Sequence, residues 1–282
     1  MPTIKVTKVE FVGRVKEREV IVEEENVVPW GQEAALHVVG RATPRVDGVA
    51  RVTGQAVYTH DVQLPGMLIG HFLRSPYPHA RLKRIDSSVA EELPGVWVVW
   101  HRGKRPPVDR LDGREVFLEE LAYQGAEVAF VAAQDERIAE DALRLIEVEY
   151  EELPFAPDLP SATAEGAPLV LAGSDGNVID PEGQVYERGS VGGGAREAEV
   201  IVEGTYTTPI AAHCRMETHG SAVRWEGDQP TVWNSTQSIY GTRSSTAEAL
   251  GIPFDRVRAI YDYVGGGFGS KWGAEKKKES TR

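Results

Sequence analysis

Cysteine is almost missing from this sequence: of 282 residues, Cys214 is the only one. No internal disulfide can form, and neither a thiolate zinc site nor an iron–sulfur cluster can be assembled from this chain alone. Long apolar runs are missing too; none approaches the ~20 residues that cross a bilayer. The opening, Met1-Pro2-Thr3-Ile4-Lys5, lacks a basic segment followed by an apolar one, so no secretory leader is expected and the cytoplasm is the expected compartment. Basic charge is scarce: 31 Lys and Arg against 43 Asp and Glu give a net charge of −12. That balance speaks against a nucleic-acid surface, which needs clustered cations to neutralise phosphates. The one basic run, Lys276-Lys277-Lys278, lies between Glu275 and Glu279 and reads as a solvated tail.

What is present suffices for a folded chain. Hydrophobic residues make up 41% and charged residues 26%, enough to build one large domain or two ordinary ones. Residues 1–39 alternate in Ile4-Lys5-Val6 and Val20-Ile21-Val22, which predicts one or two short strands before the acidic linker Glu23-Glu24-Glu25-Asn26. This N-terminal extension carries no recognisable chemistry. From Gly40 to Asp158 strands and helices mix. Met67 to Leu73 and Ala126 to Ala133 suit buried strands, and Asp135 can cap a helix whose apolar face is Ile138, Ala139, Ala142, Leu143 and Ile146. Glu147-Val148-Glu149-Tyr150 then returns as a strand, so the fold class is α+β. Pro154, Pro157 and Pro160 open a linker, taken as residues 159–195, that includes the Gly- and Asp-rich stretch Gly173 to Gly194.

Residues 196–282 hold the informative motifs. Strands are expected at Val200-Ile201-Val202, Ala222 to Trp225 and Thr231 to Trp233. The loop Asn234 to Ser238 then leads into a helix with Ile239, Arg243, Ala247 and Leu250 on one face, stopped by Gly251 and Pro253. A strand from Val257 to Val264 runs directly into Gly265-Gly266-Gly267-Phe268-Gly269-Ser270-Lys271. If the strands around the helix are parallel neighbours, both following loops lie at one sheet edge, where ligands of α/β sheets commonly bind. Gln237 and Phe268 would then face one crevice. Consecutive glycines let backbone N–H groups approach an anionic oxygen. The loop is no Walker motif, because Ser270 occupies the required glycine position, and its glycine rhythm does not fit a Rossmann fingerprint. Taken singly, the glycine cluster reads as a tight turn and Gln237 as a turn or surface amide. His213, Glu217 and His219 match no helical zinc spacing and read as polar groups that satisfy backbone; Cys214 reads as a small buried apolar residue.

In combination the motifs are far more specific. Arg41-Ala42-Thr43-Pro44-Arg45-Val46-Asp47, Val52 to Thr59, Leu64-Pro65-Gly66-Met67-Leu68 and Leu73-Arg74-Ser75-Pro76-Tyr77-Pro78-His79-Ala80 occur in order. Ala139 to Ala142, Ile146 to Tyr150, Met216-Glu217-Thr218-His219, Ser235-Thr236-Gln237 and Gly265 to Lys271 follow. This succession resembles the molybdenum-binding large subunit of the xanthine dehydrogenase/aldehyde oxidase family, from Gly40 to Lys271. The resemblance implies an α/β hammerhead domain over 40–158, then the first, incomplete part of a molybdopterin-binding domain over 196–282.

The family reaction it implies is hydroxylation of an aldehyde or N-heterocycle carbon with water as oxygen source. It also implies molybdopterin carrying Mo, with or without a cytosine dinucleotide, and partner subunits bearing 2Fe-2S and FAD. Gln237 would donate a hydrogen bond to an oxygen ligand of molybdenum. Gly266, Gly267, Phe268 and Gly269 would lie against the metal end of the cofactor, with Phe268 bordering the substrate channel and no protein side chain ligating the metal. The family's general base belongs to a later domain, and Glu217 does not match it. The sequence ends at Arg282, so the expected partner set includes a C-terminal molybdopterin-binding domain or chain. The expected role is an enzyme part inactive without it, with a truncated, non-catalytic interaction module as the alternative. No nucleic acid or membrane is expected among the partners.

Overall fold

Alternation at the start of the chain resolves into a hairpin, β1 (Thr3–Phe11) and β2 (Arg14–Val22), paired antiparallel from Thr3 opposite Val22 to Phe11 opposite Arg14. The structure, a computed structural model, describes residues 3–11, 14–22, 30–31, 34–104, 106, 110–111, 114–170, 173–178, 180–183, 185–186 and 188–272. The expected acidic linker at Glu23 to Asn26 lies outside them. The chain divides into two compact units, Met1–Leu64 with His213–Arg282, and Pro65–Ala212. In the first unit a short helix, α1 (Gly48–Val52), follows Asp47, whose carboxylate is held by Arg45 and, at 2.7 Å, by Arg51.

The second unit is built on two three-stranded antiparallel sheets. One has the order β3 (Ile69–Arg74), β9 (Glu127–Ala133), β5 (Val96–His101), with β9 central. The other pairs β10 (Glu147–Glu152) with β4 (Ala80–Asp86) and β4 with β8 (Glu120–Leu121). A minor hairpin, β6 (Arg110–Leu111) with β7 (Arg114–Glu115), precedes β8. Covered on both faces, β9 reads as a continuous apolar run rather than an alternating one, and Val128, Ala129, Val131 and Ala133 are fully buried. Two helices flank this unit's core, α2 (Ser88–Glu91) and α3 (Glu136–Arg144). The Asp135 carboxylate accepts from Ile138 N at 2.8 Å, the cap the sequence predicts. Ala139 and Ala142 on α3 are fully buried in the cluster containing Val99, Ala129, Val131 and Ile146. Small side chains there let the helix approach the sheet closely. Gly70 meets a similar demand: a Cβ would lie 2.6 Å from the Phe130 ring.

Beyond β10, α4 (Leu159–Thr163) and α5 (Val191–Glu197) are short, capped by Asp158 and Ser190. Val200-Ile201-Val202 is not the strand its composition suggests. These residues have no regular structure and are 79%, 63% and 88% exposed. β-propensity needs a ladder partner, and among the described residues this segment has none.

The first unit resumes with β11 (Ser221–Glu226) and β12 (Gln229–Asn234), joined by a tight turn in which Gly227 takes φ +63°. Ser238 caps α6 (Ile239–Leu250), and Gly251, at φ +63°, ends it as a left-handed cap. The expected helix face is narrower in the structure: Ala247 and Thr242 are buried, whereas Ile239 and Leu250 stay part exposed. Arg243 is instead drawn onto the following turn, donating from Nε to the carbonyls of Phe254 (3.0 Å) and Val257 (2.7 Å). The last strand, β13 (Arg258–Ile260), runs parallel to β12, with Thr231 opposite Arg258 and Trp233 opposite Ile260. It is shorter than the expected Val257 to Val264. The ladder stops at Trp233 opposite Ile260, where β12 is one residue from its own end at Asn234, and farther on the Val264 carbonyl and both polar groups of Gly265 bond to residues outside the sheet.

Candidate functional site

The β12–α6–β13 unit sends two loops, 234–238 and 265–271, off the same edge of a parallel strand pair. They interlock. Gln237 N donates to the Lys271 carbonyl at 2.6 Å, and Thr236 Oγ1 reaches that carbonyl at 3.2 Å. The Gln237 side-chain carbonyl Oε1 accepts from Gly269 N (3.0 Å) and Lys271 N (3.3 Å). Two backbone donors on one oxygen fix which end of the amide is which. Nε2 is therefore turned away from the loop and makes no hydrogen bond among the described residues.

The glycine loop is shaped by close approach. A Cβ on Gly267 would sit 2.3 Å from Gln237 Oε1, and one on Gly265 would sit 2.3 Å from Glu217 Cβ. Gly266 and Gly269 take φ +106° and +95°, and between them Phe268 takes φ +52°, a conformation uncommon outside glycine and asparagine. The Phe268 side chain is 73% exposed. Four loop N–H groups are used internally: Gly265 by Glu217, Gly269 and Lys271 by Gln237, Ser270 by the Gly267 carbonyl. Among the described residues the N–H groups of Gly266, Gly267 and Phe268 have no partner. The expected loop donors thus reduce to three, because Gly269 donates to Gln237.

Beneath the loop lies a network that the sequence does not announce. Glu217 Oε2 accepts from Tyr261 OH (2.7 Å), Gly265 N (2.9 Å) and Lys271 Nζ (3.0 Å). Lys271 Nζ also donates to the Glu217 carbonyl at 2.8 Å. The two side chains are 6% and 0% exposed. Burial raises the Glu217 pKa, but Tyr261, Lys271 and the Gly265 N–H outweigh it and hold the carboxyl below its ordinary range. The Tyr261 phenol, buried and facing that carboxylate, is pushed up to about 12. Glu217 Oε1 is buried without a partner among the described residues. From the chain's start, Arg51 NH1 donates to the Val264 carbonyl (2.9 Å) and to Tyr58 OH (3.0 Å), its guanidinium 5.7 Å from the Tyr58 and Tyr263 ring centres.

Glu217 thus accepts from backbone, as read from the sequence, and also from Tyr261 and Lys271, which that reading did not include; among the described residues no group of three or more His, Cys, Asp or Glu could hold a metal. Cys214 is a correction: it is exposed, at φ +37°, on a segment of exposed residues without regular structure, His213 and Met216 among them, so it has no core to enter. An open cavity of about 470 Å³ is bordered by Thr231 and Arg258 at the amino ends of β12 and β13 and by Ile239, Tyr240 and Arg243 of α6, and it includes no residue of either loop. Tyr261 and Arg51, and the pairing of Glu217 with Lys271, escape sequence reasoning, since nothing in one sequence pairs residues 54 or 213 positions apart.

The donor set has a definite chemical sense. Nε2 of Gln237 and three backbone N–H groups offer hydrogens, and the carboxylate beneath the loop, Glu217, is taken up through Oε2 by Tyr261, Gly265 and Lys271. Such a surface suits an oxygen-bearing, anionic group and not a bare cation. Residues 53–154 match the model for aldehyde oxidase and xanthine dehydrogenase, a/b hammerhead domain, and residues 174–277 match the molybdopterin cofactor-binding domain. The chain is 34% identical over 244 residues to the xanthine dehydrogenase molybdenum-binding subunit of Escherichia coli O157:H7, covering 80% of this chain and 32% of that protein. It is 31% identical to the carbon monoxide dehydrogenase large chain of Afipia carboxidovorans, over 88% of this chain and 34% of that one. The solved quinoline 2-oxidoreductase from Pseudomonas putida 86 superposes with a TM-score of 0.72 at 30% identity, over 82% of this chain and 31% of that one. The chain thus spans about a third of the length of the relatives it matches.

Proposed function

Because the chain belongs to the xanthine dehydrogenase/aldehyde oxidase family, as a hammerhead domain followed by the first part of a molybdopterin-binding domain, we propose that it holds the metal end of a molybdopterin in a hydroxylase of aldehydes or N-heterocycles. In this reading 1–39 is an extension, 40–158 the hammerhead domain, 159–195 a linker and 196–282 the cofactor-binding part. When bound, the molybdenum group supplies the two-electron oxidation and a water-derived oxygen. Electrons leave through iron–sulfur and FAD partner subunits of a cytoplasmic complex. Relatives named for xanthine and quinoline support the N-heterocycle class.

The chain's own residues orient and stabilise. Gln237 donates from Nε2 to an oxygen of the metal group, and Gly266, Gly267 and Phe268 add backbone N–H groups beside it. The Phe268 ring, exposed on a strained backbone, borders the substrate. Glu217 is no general base here: its Oε2 already accepts three hydrogen bonds, and its carboxylate is paired with a buried lysine.

The observation that carries this reading is the Gln237 amide, held by two backbone N–H groups so that its donor end faces outward. Gln237→Ala in the assembled enzyme should slow metal reduction by substrate ~10²-fold per bound molybdenum, as loss of a preorganised donor does. Molybdenum content should persist. Full rate per molybdenum would refute the role. Phe268→Ala should instead shift the ratio of kcat/KM between a large and a small substrate.

A further inference from the structure

One carboxylate oxygen closes the glycine loop into a ring. Glu217 Oε2 accepts from Gly265 N at the loop's start and from Lys271 Nζ at its end, while the Glu217 carbonyl takes a second Nζ hydrogen bond. The backbone of Lys271 meanwhile presents N–H to Gln237 Oε1 and C=O to Gln237 N. The residue that grips Glu217 with its side chain thus grips Gln237 with its main chain. We propose that Glu217 and Lys271 are positioning residues: their buried ion pair sets the loop so that Gln237 presents Nε2, and not Oε1, outward. This rests on the reading of Gln237 given above.

The chemistry of the pair argues for such a role. A lysine ammonium with no exposed side-chain surface is strongly disfavoured unless paired, and removing one partner strands the other charge. A neutral apolar contact would close the same turn without that desolvation. What the pair adds is direction, since a charged acceptor draws Gly265 N, Tyr261 OH and Nζ onto one point. The loop's other ties to the neighbouring loop run through Gln237 and Thr236, and they meet it at Gly269 and Lys271; at its start, Gly265 N is bonded to Glu217.

The test uses the assembled enzyme with Lys271→Met, Glu217→Gln and the double variant, alongside Gln237→Ala. Amide exchange over 265–271 and the reductive rate constant per molybdenum are measured. Lys271→Met should raise exchange at Gly269 and Lys271 about 10-fold. It should also slow reduction on the order of 10-fold or more, because misplacing an oriented group by ~1 Å is costly. Substrate KM should stay within about twofold, the mark of a lost transition-state contact. The double variant strands no charge but also lacks the charged acceptor and its lysine, so its loop should exchange about as fast, and its metal reduce about as slowly, as in Lys271→Met. If a single variant does not assemble, the double variant decides: wild-type exchange over 265–271 and a wild-type rate there overturn the proposal. Unchanged exchange in Lys271→Met also overturns it, as does faster exchange with an unaltered rate while Gln237→Ala remains slow. Full rate in Gln237→Ala would instead remove the cofactor reading, and this inference with it.

Discussion

At Glu217 burial and hydrogen bonding pull in opposite directions, and hydrogen bonding wins. Its folded pKa lies below the unfolded value of about 4.3. The carboxylate therefore contributes stability that is fully present above that value and lost as pH falls through the folded pKa. The stability gap between the wild type and Glu217→Gln should narrow steadily from pH 6 to pH 3, followed by denaturant unfolding at each pH. A gap independent of pH would contradict the ionised, paired state. Part of this site was legible residue by residue. Gln237 and the glycine loop stand in short motifs whose order along the chain carries the resemblance. Glu217 was legible only as a backbone-satisfying group, because its partners Tyr261 and Lys271 meet it through the fold, 44 and 54 residues away. Cys214 misled because buried cysteine is the common case, and this one lies on an exposed segment without regular structure.

Elements with strong local signals formed where the pattern placed them. The helix α3 has a cap, an apolar stripe and a return strand, and all three are present. Asp135→Ala should cost about 1 kcal/mol, since Ile138 N loses its acceptor. Chemical denaturation of the two proteins measures it, and equal midpoints would contradict the cap. Gly251→Ala should cost about 1–2 kcal/mol by forcing a Cβ into the left-handed region. Segments whose fate depends on distant partners were less legible. Val200 to Val202 has strand composition but no ladder among the described residues, and β13 ends at Ile260 because its partner β12 runs out at Asn234. Hydrophobic period predicts a strand's capacity to pair and is silent on whether a partner arrives.

For the whole molecule, the order of motifs said more than composition did. An acidic chain with one cysteine and no helix long and apolar enough to cross a membrane among the described residues fits many proteins. The α+β class and the hammerhead domain followed by a molybdopterin-binding part followed from the motif succession, and family matches over 53–154 and 174–277 agree. Two interlocked loops then turn a glycine cluster and an amide, each ordinary alone, into a surface of hydrogen donors. The central claim is that this surface faces a molybdopterin, and elemental analysis of the natively purified complex tests it most directly. The account predicts one molybdenum for each copy of this chain, with iron from a co-purifying iron–sulfur subunit. A fully assembled complex that contains this chain and no molybdenum would contradict it.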